Sequence, residues 1–198
     1  MKSIAIFCGS NMGNSPSYKQ AALEIADIFI ERDITLIYGG AKVGLMGLLA
    51  DHILKKNGKV VGVIPRSLVD AEVAHEELTY LHVVDSMHTR KALMTELSDA
   101  FILFPGGVGS LDEFFEVYTW AKLGFHNKPC GILNINSYYD PIVAMMDNMV
   151  ADGFIKPEHR LMIGVRQSIK ELLRDFDNYQ APTEKPWISP EDSLAATT

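Results

Sequence analysis

The chain has 198 residues, 47% hydrophobic and 22% charged, which excludes a disordered or collagen-like protein. A chain of this length buries roughly 70% of its unfolded surface, so one core suffices without disulfide or metal staples. Twenty-five acidic residues against 18 basic ones give a formal net charge of −7, which argues against nucleic acid or an anionic membrane and for a small-molecule partner.

Along the chain, short runs rich in β-branched and aromatic residues alternate with longer helical patterns, the signature of βαβ units. The first strand, 3–8, stops at Gly9, Ser10 and Asn11. It is too short for the apolar region of a secretory signal, so the protein is expected to stay in the cytoplasm. Further strands are predicted at 34–38, 60–64, 80–84, 100–104, 131–135 and 162–165. Helices are predicted at 16–32, 45–57, 87–98, 110–124, 138–152 and 168–178. Ser15 followed by Pro16 reads as a helix N-cap with proline at the first helical position, and Gly58 and Gly153 stand where C-terminal glycines belong. Several strands are apolar throughout, as strands covered on both faces must be, and no apolar run is long enough to span a membrane. The fold class is therefore α/β: a single-domain, Rossmann-like, doubly wound parallel sheet of six or seven strands over 1–180, with an irregular tail over 181–198 that Trp187 could pin. Cys8 and Cys130 lack CxxC spacing and read as buried thiols. Met145, Met146 and Met149 read as core filler.

Three glycine-bearing turns follow predicted strands: Cys8-Gly9-Ser10, Tyr38-Gly39-Gly40, and Pro105-Gly106-Gly107-Val108-Gly109-Ser110. In a parallel sheet all three lie at the carboxyl edge, where doubly wound folds bind ligands. None completes GxGxxG or GxxxxGK[ST], which disfavours a dinucleotide or a P-loop triphosphate. The third turn opens a helix whose free N–H groups suit a monophosphate. Ser110-Leu111-Asp112-Glu113 also reads as a capping box that would occupy Glu113 structurally, and spacing alone leaves both readings open. In the stretch 114–123 the only polar residues are Glu116, Thr119 and Lys122, which recur every third residue with Glu113; the rest is apolar over more than one face, which suggests a subunit interface beyond the sheet contact. Arg90 and Lys91 fall in the first turns of the helix after the fourth strand, where cations oppose the dipole. A bound anion would supply a reason for them; a solvated basic pair is the alternative. The histidines make no metal-ligand spacing, so neither metal nor cofactor is expected.

These residues resemble the LOG family of cytokinin riboside 5′-monophosphate phosphoribohydrolases, some of whose bacterial members carry the label "lysine decarboxylase". The resemblance runs from about Ile4 to Met149 and rests on Gly39-Gly40 with Gly44-Leu45-Met46-Gly47, on Met87-His88-Thr89-Arg90-Lys91, and on Pro105 to Glu113, which is similar to the family's PGGxGTxxE. It implies a homodimer with Arg90 and Glu113 essential to catalysis. It also implies substrate contacts from Glu72, Lys91, Gly107, Val108, Gly109, Ser110, Leu111, Asp112, Glu113 and Thr119. Gly9, Ser10, Gly39, Gly40, Met87 and Gly106 join these as candidate binding residues, and Glu116 as a second candidate carboxylate for catalysis. Ser110 stands for the usual threonine, Asp112 for a glutamate and Ala71 for a glycine, departures that bear on affinity more than on reaction type.

The expected reaction is hydrolysis of the N-glycosidic bond of a cytokinin riboside 5′-monophosphate or AMP. Such cleavage builds positive charge on the ribose, which a carboxylate beside the anomeric carbon would stabilise. The rival is a nonenzymatic nucleotide or cofactor carrier, like the molybdenum-cofactor carriers. A pyridoxal-phosphate decarboxylase would need a Schiff-base lysine with its partners, and no lysine has a recognisable setting of that kind.

Overall fold

A computed structural model describes residues 1–71 and 73–182. β1 (Ser3–Phe7) leads into α1 (Pro16–Glu31), β2 (Thr35–Tyr38), α2 (Gly44–Lys55), β3 (Val60–Pro65), the short α3 (Arg66–Asp70), β4 (Tyr80–Val84) and α4 (Met87–Leu97). Then follow β5 (Ala100–Leu103), α5 (Val108–Leu123), β6 (Cys130–Leu133), a 3₁₀ turn (Ile135–Ser137), α6 (Asp140–Ala151), α7 (Pro157–Leu161), β7 (Ile163–Arg166) and α8 (Ile169–Asp177). The strands form one seven-stranded sheet in the order β4-β3-β2-β1-β5-β6-β7, and every pairing is parallel. Because the chain winds outward in one direction from β1 and in the other from β5, the topological switch point lies between these two strands, the ligand crevice of open α/β sheets.

The alternation along β1 shows why the strands are apolar throughout. Ile4 and Ile6 pack with α1, α2 and α8 on one face, whereas Ala5 and Phe7 pack with α4, α5 and α6 on the other. Fully buried side chains such as Phe29 and Phe101 each contribute roughly 1.5–3 kcal/mol through removal from water. The expected cap of α1 is present, with the Ser15 side chain accepting from the Ser17 N–H. Among the described residues, no helix is long and apolar enough to cross a membrane.

Several local expectations are corrected. α3 and α7 were not foreseen, because five-residue helices are too short to show a period. The left-handed residue after α2 is Asn57, not Gly58; Gly58 instead leaves room for Ile53. Gly153 does adopt the left-handed conformation after α6. Of the three methionines, only Met146 is buried in the core, and Met145 is exposed. Cys8 and Cys130 are free and buried, and burial pushes the Cys130 thiol up to about 12. Trp187 and nearly all of the tail lie outside the described residues, as does Glu72.

Candidate active site

The three glycine turns do meet at the carboxyl edge. Across the switch point the Gly9 N–H donates to the Pro105 carbonyl at 3.1 Å, and the Leu45 N–H donates to the Gly9 carbonyl at 3.1 Å. Gly44, at φ +61°, packs so closely against Ser10 that no side chain would fit there.

α4 supplies the cations. Its N-cap is Ser86, whose hydroxyl accepts from the Thr89 N–H at 3.0 Å, and this sets Arg90 on the face turned toward the sheet. Arg90 is 8% exposed. Its Nε donates to the Val63 carbonyl at 3.0 Å, and its Nη2 lies 3.0 Å from Glu113 Oε1. Gly39 makes this possible, since a Cβ there would fall on the guanidinium. Lys91 lies 2.9 Å from Glu116 Oε2 and 3.3 Å from Asp112 Oδ2. Burial alone would lower the Lys91 ammonium, but Glu116 and Asp112 more than reverse this, so its pKa is raised.

The two cations of α4 therefore face three carboxylates of α5, and their counter-charge is already present in the protein. The reading of Arg90 and Lys91 as a solvated basic pair fails, and the reason expected from a bound anion is supplied in part by the protein's own carboxylates. The capping box is absent too. α5 starts at Val108, with Gly107 as N-cap and no side-chain cap, so Ser110 lies inside the helix and Glu113 turns to Arg90. Burial pushes the Glu113 carboxyl above the ordinary carboxylate range; Arg90 opposes the rise, and Asp112 adds to it.

The first N–H groups of α5 have no helical partner. Beside them there is free space, since a Cβ at Gly107 or Gly109 would meet nothing within 4 Å. Gly106, by contrast, is crowded by Ser110 and the Gly9 turn. The free helix end can take an anion, and the Glu113 carboxylate of the buried Arg90–Glu113 pair can stabilise a developing positive charge.

The stripe along α5 divides. Glu113 and Glu116 face the α4 cations, while the exposed Thr119 donates to the Phe115 carbonyl of its own helix at 2.7 Å. Thr119 and Glu116 border an open, largely apolar groove of about 620 Å³, lined also by Val108, Leu111, Phe115 and Trp120. Met87 is exposed at the start of α4, with its sulfur 3.6 Å from Arg90 Nη1.

Sequence reasoning missed the loop after β6. There the Tyr138 hydroxyl donates to the Gly106 carbonyl at 2.8 Å, and the Tyr139 hydroxyl donates to the Phe104 carbonyl at 3.1 Å. The available signal was positional, since this loop too follows a strand at the carboxyl edge.

The fold and this site define a Rossmann-like protein with its charged cluster at the carboxyl edge of the sheet, and comparison with known proteins makes the class specific. Residues 46–176 match the family model described as "Possible lysine decarboxylase". The chain is 49% identical over 170 residues to a cytokinin riboside 5′-monophosphate phosphoribohydrolase of Rhodococcoides fascians, covering 85% of this chain and 86% of that protein. It is 41% identical over 201 residues to one of Arabidopsis thaliana, covering 99% and 94%. The chain thus belongs to the LOG family of cytokinin riboside 5′-monophosphate phosphoribohydrolases and is an N-glycosyl hydrolase. Among solved structures, the molybdenum cofactor binding protein of Rippkaea orientalis superposes with a TM-score of 0.67 at 16% identity, covering 89% of this chain and 96% of that one, a likeness of fold alone.

Among the described residues, no lysine matches the decarboxylase description. Lys91 is held charged by its carboxylates, the opposite of what a Schiff-base amine needs. Lys128, whose burial lowers its pKa, donates to the Thr95 carbonyl just before β6, at the opposite edge of the sheet.

Proposed function

We propose that the protein hydrolyses the N-glycosidic bond of cytokinin riboside 5′-monophosphates and of AMP, releasing the free base and ribose 5-phosphate. The observation that carries this reading is the buried Arg90–Glu113 pair beside the uncapped N-terminus of α5. The 5′-phosphate would bind the N–H groups of Gly107, Val108, Gly109 and Ser110, with Gly9, Ser10 and Gly106 forming the floor. Anchored there, the ribose presents its anomeric carbon to Glu113.

As the bond between that carbon and the base nitrogen breaks, the carboxylate stabilises the oxocarbenium-like charge. A water oxygen then bonds the anomeric carbon. Glu113 takes the water's proton and returns it to solvent, while the departing base takes one up from solvent, so one water is consumed. The raised Glu113 carboxyl suits this proton acceptor. Arg90 fixes its orientation through Val63 and Gly39, with the Nη1 edge left toward Met87 and the ribose hydroxyls. Lys91, Asp112 and Glu116 hold the outer wall, and Thr119 would contact the base side.

Val108 is 82% exposed and continues into the apolar groove of α5, a surface that monomers seldom leave bare. We assign it to a second copy of the chain, giving a homodimer in the cytoplasm.

Incubation with AMP and with isopentenyladenosine 5′-monophosphate, followed by chromatography, tests the reaction. Free base and ribose 5-phosphate are expected, whereas nucleotide returned intact would support the carrier instead.

A further inference from the structure

The phosphate reading depends on which way the peptide groups of the β5–α5 turn point, and that orientation is not intrinsic to their sequence. The peptide between Gly106 and Gly107 is flanked by two residues without side chains, so its plane rotates more freely than any other in the turn. Successive carbonyls here are nevertheless all tied. The Phe104 carbonyl accepts from the Tyr139 hydroxyl at 3.1 Å, Pro105 from the Gly9 N–H at 3.1 Å, Gly106 from the Tyr138 hydroxyl at 2.8 Å, and Gly107 from the Leu111 N–H at 3.3 Å.

In a trans peptide the C=O and the following N–H point in opposite directions. Holding the Gly106 carbonyl on Tyr138 therefore aims the Gly107 N–H away from that tyrosine, and the space around the Gly107 Cα is open, since a Cβ built there would meet nothing within 4 Å. The loop that carries the tyrosines is itself held in an uncommon conformation. Asn136 and Ser137 are consecutive non-glycine residues at φ +55° and +57°, a strain that persists only where surrounding contacts enforce it. The Asn136 side chain donates to Ser15 Oγ at 3.1 Å, the Tyr139 N–H donates to Asn134 Oδ1 at 2.8 Å, and the Tyr138 ring meets Tyr18 edge-on at 5.9 Å.

We propose that Tyr138 is a positioning residue that sets the preference for phosphorylated over unphosphorylated ribosides, by fixing the Gly106 carbonyl so that the Gly107 N–H faces the 5′-phosphate. This rests on the phosphate reading given above. Tyr138 is 45% exposed, so Tyr138→Phe removes one hydroxyl and leaves the ring packing and the core intact.

The test is calorimetric titration of wild type and Tyr138→Phe with ribose 5-phosphate and, separately, with adenine, alongside thermal melts. One neutral hydrogen bond corresponds to a factor of about ten in affinity. The expected result is ribose 5-phosphate bound about tenfold more weakly by the variant, with adenine affinity and melting temperature unchanged and the AMP-to-adenosine rate ratio reduced to match. Equal ribose 5-phosphate affinity in the two proteins overturns the role of Tyr138 alone. Parallel loss of adenine affinity also overturns it, by showing a general disturbance of the sheet edge. Failure of the wild type to bind ribose 5-phosphate overturns the phosphate reading, and the role of Tyr138 with it.

Discussion

Arg90 of α4 and Glu113 of α5 close a buried ion pair, with Nη2 and Oε1 3.0 Å apart and both side chains about nine-tenths covered. The pair crosses the carboxyl end of the sheet and is held from behind by the Val63 carbonyl. Breaking a buried pair by removing one partner costs about 3–5 kcal/mol, so its two members affect both stability and turnover.

Glu113→Gln keeps an oxygen that can accept from Arg90 but loses the charge and the basicity. Its kcat should fall about 10²- to 10⁴-fold, the usual worth of a positioned acid–base group, while its stability falls less than that of Glu113→Ala. Base release followed by chromatography, together with thermal melts, measures both. Wild-type turnover in Glu113→Gln would remove the carboxylate from the chemistry.

Because the Glu113 carboxyl is raised and must be ionised to take a proton, kcat/KM should fall with decreasing pH at a value above the ordinary 4.5 of a glutamate. A pH–rate profile with no acid limb above 4.5 would contradict the assignment.

Gly39→Ala places a methyl on the Arg90 guanidinium, so it should abolish activity, as should Arg90→Lys, since lysine cannot reach Val63 and Glu113 together. Gly107→Ala meets nothing in the unliganded protein and should melt like the wild type, but its methyl enters the proposed phosphate space and should raise KM. Comparing melting temperature and turnover for all three variants, with KM for Gly107→Ala, separates a damaged arginine slot from a blocked anion site.

His126 gives a pH dependence of stability unrelated to catalysis. Burial lowers its pKa from 6.5 to about 4. Its ring packs on Phe101, with Nε2 3.0 Å from the Val117 carbonyl and Nδ1 accepting from the Lys128 N–H. Because the folded value is depressed, the unfolded chain binds more protons between these two pH values. The contribution of the neutral ring is therefore complete above 6.5 and is lost as pH falls toward 4, on the order of 3 kcal/mol in all. Urea unfolding at both ends of this range should show the loss in wild type and a smaller one in His126→Gln, which does not titrate.

Val108→Asp places a charge on the exposed apolar start of α5 and should convert the proposed dimer to a monomer. Light scattering reads this directly, and a wild-type mass of about 22 kDa in the active species would refute the dimer.

Much of the architecture was legible in the chain. Continuous apolar strands such as 100–104 required cover on both faces, and their alternation with helical periods required parallel crossovers. The glycine turns after the strands located the carboxyl edge, and the motifs around Arg90 and Glu113 singled out these two residues. The boundaries of α5 were less legible: Ser110 to Glu113 satisfies the capping pattern, yet Gly107 in an extended conformation starts the helix earlier. Local spacing cannot decide between two competing starts when tertiary charge partners claim the glutamate. Only the assembled sheet brings Arg90 against Glu113, clears its slot at Gly39, gives Lys91 its carboxylates, and places Tyr138 on the Gly106 carbonyl. Each of these contacts joins segments far apart in sequence, and their meeting depends on strand order and crossover packing, which hydrophobic periodicity, a local property of the chain, does not encode.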